Sequence, residues 1–97
     1  MRPSYYGAVD HDPRPIAWLA LRQGTVVRAR GGQELGKVGR VVGDQQKDIF
    51  SGITVVSGLF RAERFAPAEH VTAITESEVR LSLSPDQADE LEVYDQA

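Results

Sequence analysis

The chain contains no cysteine among its 97 residues. Without thiols it forms no disulfide framework, no thiolate zinc site and no cysteine nucleophile, which removes several classes of enzyme. Long apolar runs are also missing. The longest run, residues 16–21, is too short to cross a bilayer or to serve as a secretory signal, and acids and prolines precede it instead of a basic segment. We therefore expect a cytoplasmic protein without membrane insertion.

Side chains that support catalysis are sparse. The two histidines lie in unrelated regions: His11 stands between two aspartates in a polar terminus, and His70 follows a glutamate. Adjacent residues rarely converge on one metal ion, and neighbours on a strand point to opposite faces. No serine has the setting of a nucleophile elbow, and the glycines at 36 and 39 lack the spacing of a phosphate loop. We expect no enzyme activity, no metal and no cofactor.

Positive charge is in deficit, because 11 basic side chains face 14 acidic ones and the net charge is -3. Nucleic-acid binding requires a clustered basic surface, which this overall balance does not favour. The deficit is uneven: residues 1–48 carry eight basic and five acidic side chains, and residues 49–97 carry three and nine. Five of the basic residues could form one face: Arg22, Arg28, Arg30, Lys37 and Arg40. Solvated strand edges are the simpler interpretation of this group. A barrel that binds RNA or a small ligand through a basic face is the alternative hypothesis.

Short apolar-alternating runs, separated by Gly, Ser and Pro turn signals, predict an all-β protein. The length fits a single domain. Gly36 and Gly39 interrupt the second run and predict a bulge or a sharp bend there. The segment 43–53 gives no strand register. The predicted strands are residues 25–29, 35–43, 53–56, 59–66, 71–74 and 78–83.

The period changes after the last strand. Ser84 is a helix-capping residue, Pro85 fits a first helical turn and Asp86 suits the positive end of the helix dipole, so a short helix is predicted from 85 to about 92. The predicted organisation is an N-terminal extension, 1–14, a β domain, 15–84, and a short acidic helix or tail, 85–97. The extension lacks periodicity, and we expect it to wrap the domain or to stay partly disordered.

Two stretches carry a resemblance to a known family. Residues 32–38, Gly-Gln-Glu-Leu-Gly-Lys-Val, resemble the turn and strand that open PRC-barrel domains. Residues 64–71, Arg-Phe-Ala-Pro-Ala-Glu-His-Val, together with the strand predicted at 78–83, are similar to the ending of the same family. The resemblance covers residues 24 to about 84, and residues 15–21 resemble an N-terminal extension found in some stand-alone bacterial members.

This resemblance implies a small six-stranded PRC-type β-barrel with a short C-terminal helix, acting as an interaction or scaffold module without shared catalytic residues. A barrel of this size has a thin core, so the apolar run at 16–21 exceeds what the barrel can bury and predicts an interface. We expect a homodimer that also binds an unidentified protein. The candidate interface residues are Ile16, Trp18, Leu19 and Leu21.

Overall fold

The structure, a computed structural model, describes residues 17–57 and 63–94. Strands dominate these ranges, in agreement with the predicted β-rich class. Two 3-10 helices, Trp18–Ala20 and Ala68–His70, and one short α-helix, α1 at Pro85–Ala88, accompany them. The strands are β1 Val26–Arg28, β2 Glu34–Asp44, β3 Ile49–Val56, β4 Arg64–Pro67, β5 Val71–Ile74 and β6 Glu78–Leu81.

The six strands form one sheet in the order β4-β3-β2-β1-β6-β5. Consecutive strands β1 to β4 are antiparallel neighbours, as short turns require, and β5 and β6 form a second antiparallel hairpin. The two groups meet where β1 runs parallel to β6. β4 and β5 therefore lie at opposite edges of the sheet although they are neighbours in the chain.

That arrangement forces the sheet to curl. Strands lie about 4.8 Å apart, so the edges of a flat six-stranded sheet would be about 24 Å apart. The link between β4 and β5 is the 3-10 helix Ala68–His70 alone, and four Cα steps reach at most about 15 Å. The edges must approach one another, yet no hydrogen-bonded pairing joins β4 to β5 in the described ranges. Closure into a barrel is not shown and stays a prediction.

The core lies on the inner face of the curled sheet. Alternation along β3 sends Ile53 and Val55 inward, where they face β2 and β4 partners such as Val38 and Ala66. Burying each of these aliphatic side chains stabilises the fold by roughly 1.5–3 kcal/mol before entropy is counted. Nine buried side chains make up the cluster: Leu21, Val27, Val38, Ile53, Val55, Ala66, Val79, Leu81 and Leu83.

Two strands differ most from the sequence prediction. β4 covers Arg64–Pro67 where residues 59–66 were predicted, a range that lies partly outside the described residues, and β3 is longer at its start. β3 begins at Ile49, four residues earlier than predicted, because Ile49 and Phe50 pair with the end of β2. The loop is only residues 45–48, and the Asp44 carboxylate holds it by accepting hydrogen bonds from two backbone N–H groups. Asp48 takes a positive φ of 53°, which aspartate tolerates better than most residues. The extended hairpin decides where Phe50 lies.

The predicted irregularity of β2 is confirmed at Gly39. The β2–β3 register shifts between Val38 and Val41, which brackets this glycine. A Cβ at position 39 would lie 2.7 Å from a Glu63 carboxylate oxygen and 2.8 Å from the Thr54 hydroxyl. Glycine therefore leaves room for a hydrogen bond between Thr54 and Glu63 against the outer face of the sheet.

The C-terminal helix is real but shorter than predicted. Ser84 caps it in a capping box with Gln87, and the helix ends at Ala88, whose side chain is buried. The chain then returns to the sheet, where the backbone N–H of Phe65 donates to Glu92 and that of Tyr94 donates to Glu63. Hydrogen bonds to the edge of β4 stop the helix from continuing to 92 as the sequence predicted.

Candidate functional site

The edge strand β5 has a free side. Its hydrogen bonds run to β6, and no strand pairs with its other edge in the part of the chain that the structure describes. Folded proteins usually protect such edges with charged residues or proline. Val71–Ile74 contains neither, although Glu69 and Glu76 flank it. This unprotected edge is therefore available for pairing with another strand.

A groove of about 350 Å³ lies beside this edge. Its far wall comes from the aromatic pair of Trp18 and Phe50, and Phe50 belongs to the part of β3 that runs on past the pairing with β4. Three of the lining side chains, Phe50, Val71 and Ile74, also pack against the core, so the groove has a partly apolar floor. The lining residues are Trp18, Phe50, Ala68, Val71, Thr72, Ala73 and Ile74.

Trp18 is held in place from three sides. Its ring stacks on Phe50 with centroids 5.4 Å apart and planes inclined by 25°. Its Nε1–H donates to Asp48 Oδ1 at 3.1 Å, so the polar end of the indole has a partner. Gly43 leaves space for the ring, since a Cβ there would lie 3.0 Å from two ring carbons and collide with the Ile49 carbonyl oxygen. The indole is therefore a fixed wall of the groove.

The predicted interface residues separate in the structure. Trp18 is half-buried at the groove, and Leu19 beside it is 51% exposed. Leu21 is buried in the core cluster and offers no surface to a partner. Ile16 lies outside the described residues. The sequence did not identify the β5 edge, because its four residues read as an ordinary half-buried strand and strand order is invisible in the sequence.

The predicted basic face carries mixed charge. Arg28 forms an ion pair with Glu78 at 3.0 Å, and the Arg40 guanidinium lies 3.6 Å from the Glu63 carboxylate. The other three predicted members, Arg22, Arg30 and Lys37, are exposed. Because two of the five positive charges have carboxylate partners, the potential that would attract a polyanion is reduced.

Glu78 connects two neighbouring strands on this face. One carboxylate oxygen accepts from Arg80 Nε at 2.6 Å and the other accepts from Arg28 Nε at 3.0 Å. The hydrogen bond from Arg80 is the main cause that lowers the pKa of Glu78 below its ordinary value, the hydrogen bond from Arg28 adds to it, and burial opposes both. Because Arg28 belongs to β1 and Glu78 to β6, the pair joins the two halves of the sheet.

His70 ends the 3-10 helix that precedes β5. Its side chain lines a second cavity of about 290 Å³ together with Phe65, Glu90 and Glu92. No group of three or more potential metal-ligating side chains occurs within residues 17–57 and 63–94. Over the same ranges, none of the helices has the length and apolar character of a membrane span.

Comparison with known proteins adds no assignment. No protein-family model matches the chain, and no curated protein is similar to it.

Proposed function

We propose that the chain is a non-catalytic interaction module of the PRC-barrel kind, acting in the cytoplasm and associating with a second copy of itself through the groove. One observation carries the proposal: an uncharged edge strand lies directly beside a shallow groove that is walled by Trp18 and Phe50. A six-stranded sheet whose edge strands are joined by three residues supports the PRC-type barrel.

The groove supports pairing for two physical reasons. The free edge of β5 presents backbone donors and acceptors that an added strand can pair with, the mode called β-augmentation. The aromatic wall supplies the large, rigid apolar contacts that dominate binding energy at interfaces. Leu19, which follows Trp18 in the chain, is half exposed and adds apolar surface. The free edge of β5, the aromatic wall and Leu19 would together accommodate a partner strand with apolar side chains.

Binding of RNA or a small ligand through the basic face has less support. That function needs unpaired positive charge, whereas the ion pairs of Arg28 and Arg40 take up two of the five candidates. Release of counterions from phosphates scales with the number of free cationic contacts.

The test places a charge in the groove without touching the core. Thr72 is exposed on β5 and lines the groove, so Thr72→Lys should raise the dimer dissociation constant at least tenfold by burying an ammonium group at the interface. Sedimentation equilibrium measures the constant, and thermal unfolding checks that the monomer stays folded.

Val56→Lys is the matched control. Val56 is a β-branched residue, 46% exposed, at the opposite end of β3 from Phe50, so the same charge there should leave the dissociation constant unchanged. Equal weakening by both substitutions would exclude self-association through this groove. So would a wild-type chain that stays monomeric at about 100 µM, which is at least about tenfold above a low micromolar dissociation constant.

A further inference from the structure

We propose that a cavity at one end of the β1–β6 junction binds a small zwitterion of amino-acid size, with the carboxylate of the ligand on Arg22 and its ammonium group on Glu76. The cavity has a volume of about 240 Å³ and is lined by Ala20, Arg22, Thr25 and Glu76. None of these four residues lines the groove beside β5, so the proposal is independent of self-association.

The parallel pairing of β1 with β6 brings the two charged residues to the same cavity. Val26 pairs with Glu78, so the turns that precede the two strands lie at the same end of the sheet. Arg22 belongs to the turn before β1, and Glu76 belongs to the turn before β6. Neighbouring strands lie about 4.8 Å apart, which places the side chains of the two turns within reach of one small ligand.

Hydrogen bonds hold both turns. The Thr25 hydroxyl donates to the Arg22 carbonyl oxygen at 2.7 Å, which closes the first turn. In the second turn the Thr75 hydroxyl accepts from the backbone N–H of Glu78 at 3.1 Å, and the Thr75 N–H donates to the Glu78 carbonyl oxygen at 2.9 Å. Because the backbone is held on both sides of the cavity, only the charged side chains have to become ordered when a ligand binds, which limits the entropic cost.

The two charges of the cavity do not satisfy each other. Arg22 and Glu76 have opposite charges, yet no ion pair joins them, and neither forms an ion pair with any other residue within 17–57 and 63–94. A molecule that carries the complementary pair of charges can therefore contact both. The cavity depends on a carboxylate as much as on an arginine, and in this it differs from binding through the basic face.

The lining residues select the two groups of the ligand. The planar guanidinium of Arg22 can donate two parallel hydrogen bonds to one carboxylate. An ammonium group has three donors, and the Glu76 carboxylate and the Thr25 hydroxyl oxygen are acceptors in the same cavity. The volume lies below the roughly 300–1,000 Å³ of sites for drug-sized ligands. Among the described lining residues Ala20 alone has a hydrocarbon side chain, which matches an amino acid with a small side chain such as alanine.

The first probe is L-alanine, and acetate and ethylammonium are analogues that each carry one of its two charges. Alanine should shift the backbone amide resonances of the four lining residues in nitrogen–proton correlation spectra, with a dissociation constant of about 1 mM or tighter. Each analogue should bind at least about tenfold more weakly, because it leaves one charge of the cavity without a partner. The absence of localised shifts up to about 20 mM alanine would overturn the proposal. Equal affinity for acetate and alanine would also overturn it, since the site would then recognise an anion alone.

Arg22→Gln and Glu76→Gln test the two roles separately. Each should weaken alanine binding at least about tenfold, because each removes the partner of one charge of the ligand. Both residues are exposed, so the melting temperature should stay within about 4 °C of the wild type.

Arg30→Gln and Glu69→Gln are the matched controls, because they remove the same charges from exposed residues that do not line the cavity. Both should leave the dissociation constant for alanine unchanged. If the controls weaken binding as much as the substitutions at Arg22 and Glu76, net charge is the cause and the cavity is not the site.

Discussion

At the scale of single residues, Trp18 decides the character of the candidate surface. Its indole has a hydrogen-bond partner in Asp48, a stacking partner in Phe50 and a space left by Gly43. A tryptophan fixed in this way needs little further ordering when a partner binds, and that lowers the entropic cost of association. Leu21, only three residues away, has the opposite role, because it is buried in the core.

Trp18→Ala should therefore weaken self-association before it unfolds the domain. Removing the half-buried ring should raise the dimer dissociation constant at least tenfold, while the free energy of unfolding falls by about 1–2 kcal/mol, less than for a fully buried tryptophan. Sedimentation equilibrium and urea unfolding measure the two effects.

Trp18→Phe is the control, because it keeps a ring stacked on Phe50 and loses only the hydrogen bond to Asp48. It should associate within about threefold of the wild type, the range expected for loss of an exposed hydrogen bond. An alanine variant that stays dimeric at low micromolar concentration but loses stability would identify Trp18 as a core residue instead.

At the scale of elements, the parallel contact between β1 and β6 joins the two antiparallel groups of strands. β1 has only three residues, so the backbone contributes few hydrogen bonds there. The ion pairs of Glu78 with Arg28 and Arg80 lie over this junction. Their effect on stability is small because the arginines are partly exposed, but its pH dependence is distinctive.

Glu78→Gln should remove that pH dependence. The folded state lowers the pKa of Glu78, so the carboxylate stabilises the fold at pH values above the ordinary glutamate pKa of 4.5. The contribution, up to about 1 kcal/mol, is lost as the pH falls below 4.5 and through the lowered folded-state pKa. Urea unfolding should therefore show a difference in the free energy of unfolding between the two proteins that is largest at pH 7 and shrinks as the pH falls from 4.5 to 3.

Glu76→Gln is the control, because Glu76 is exposed and forms no ion pair with another residue that the structure describes. The difference in the free energy of unfolding between Glu76→Gln and the wild type should stay constant from pH 7 to pH 3. A Glu78→Gln variant whose stability difference stays constant from pH 7 to pH 3 would show that the ion pairs do not stabilise β1 against β6.

At the scale of the whole molecule, the separation of charge along the chain does not become a single basic surface. The described cations of the first half include two that face carboxylates of the second half, Arg28 with Glu78 and Arg40 with Glu63. Folding thus pairs the basic half of the sequence with the acidic half. A polyanion such as RNA would therefore contact a surface that carries both positive and negative charge.

Binding of single-stranded RNA should accordingly be weak. Among the described residues, four exposed cations form no ion pair: Arg22, Arg30, Lys37 and Lys47. So few free cations predict a dissociation constant of about 100 µM or weaker at physiological salt, at the weak end of non-specific binding. Fluorescence anisotropy with a labelled oligonucleotide measures it at several salt concentrations. Micromolar affinity that falls steeply with added salt would instead favour the RNA-binding hypothesis.

The sequence by itself determined that the chain is rich in strands and roughly where they lie. Local patterns predicted six strands that overlap the six observed ones, although β3 begins four residues earlier than predicted, and the capping residues Ser84 and Pro85 predicted the start of the helix. These features depend on neighbours along the chain, so local patterns suffice to identify them. The bulge at Gly39 was predictable for the same reason.

Tertiary structure alone decided the candidate surface. The order of the strands leaves β5 at an edge, and the early start of β3 brings Phe50 against Trp18, 32 residues away in sequence. Both depend on pairings between distant segments, which no local periodicity encodes. The burial of Leu21 and the ion pairs of Arg28 and Arg40 have the same origin. The sequence specifies the chemistry of each residue. Its exposure and its partners depend on contacts that form only when the sheet assembles and curls.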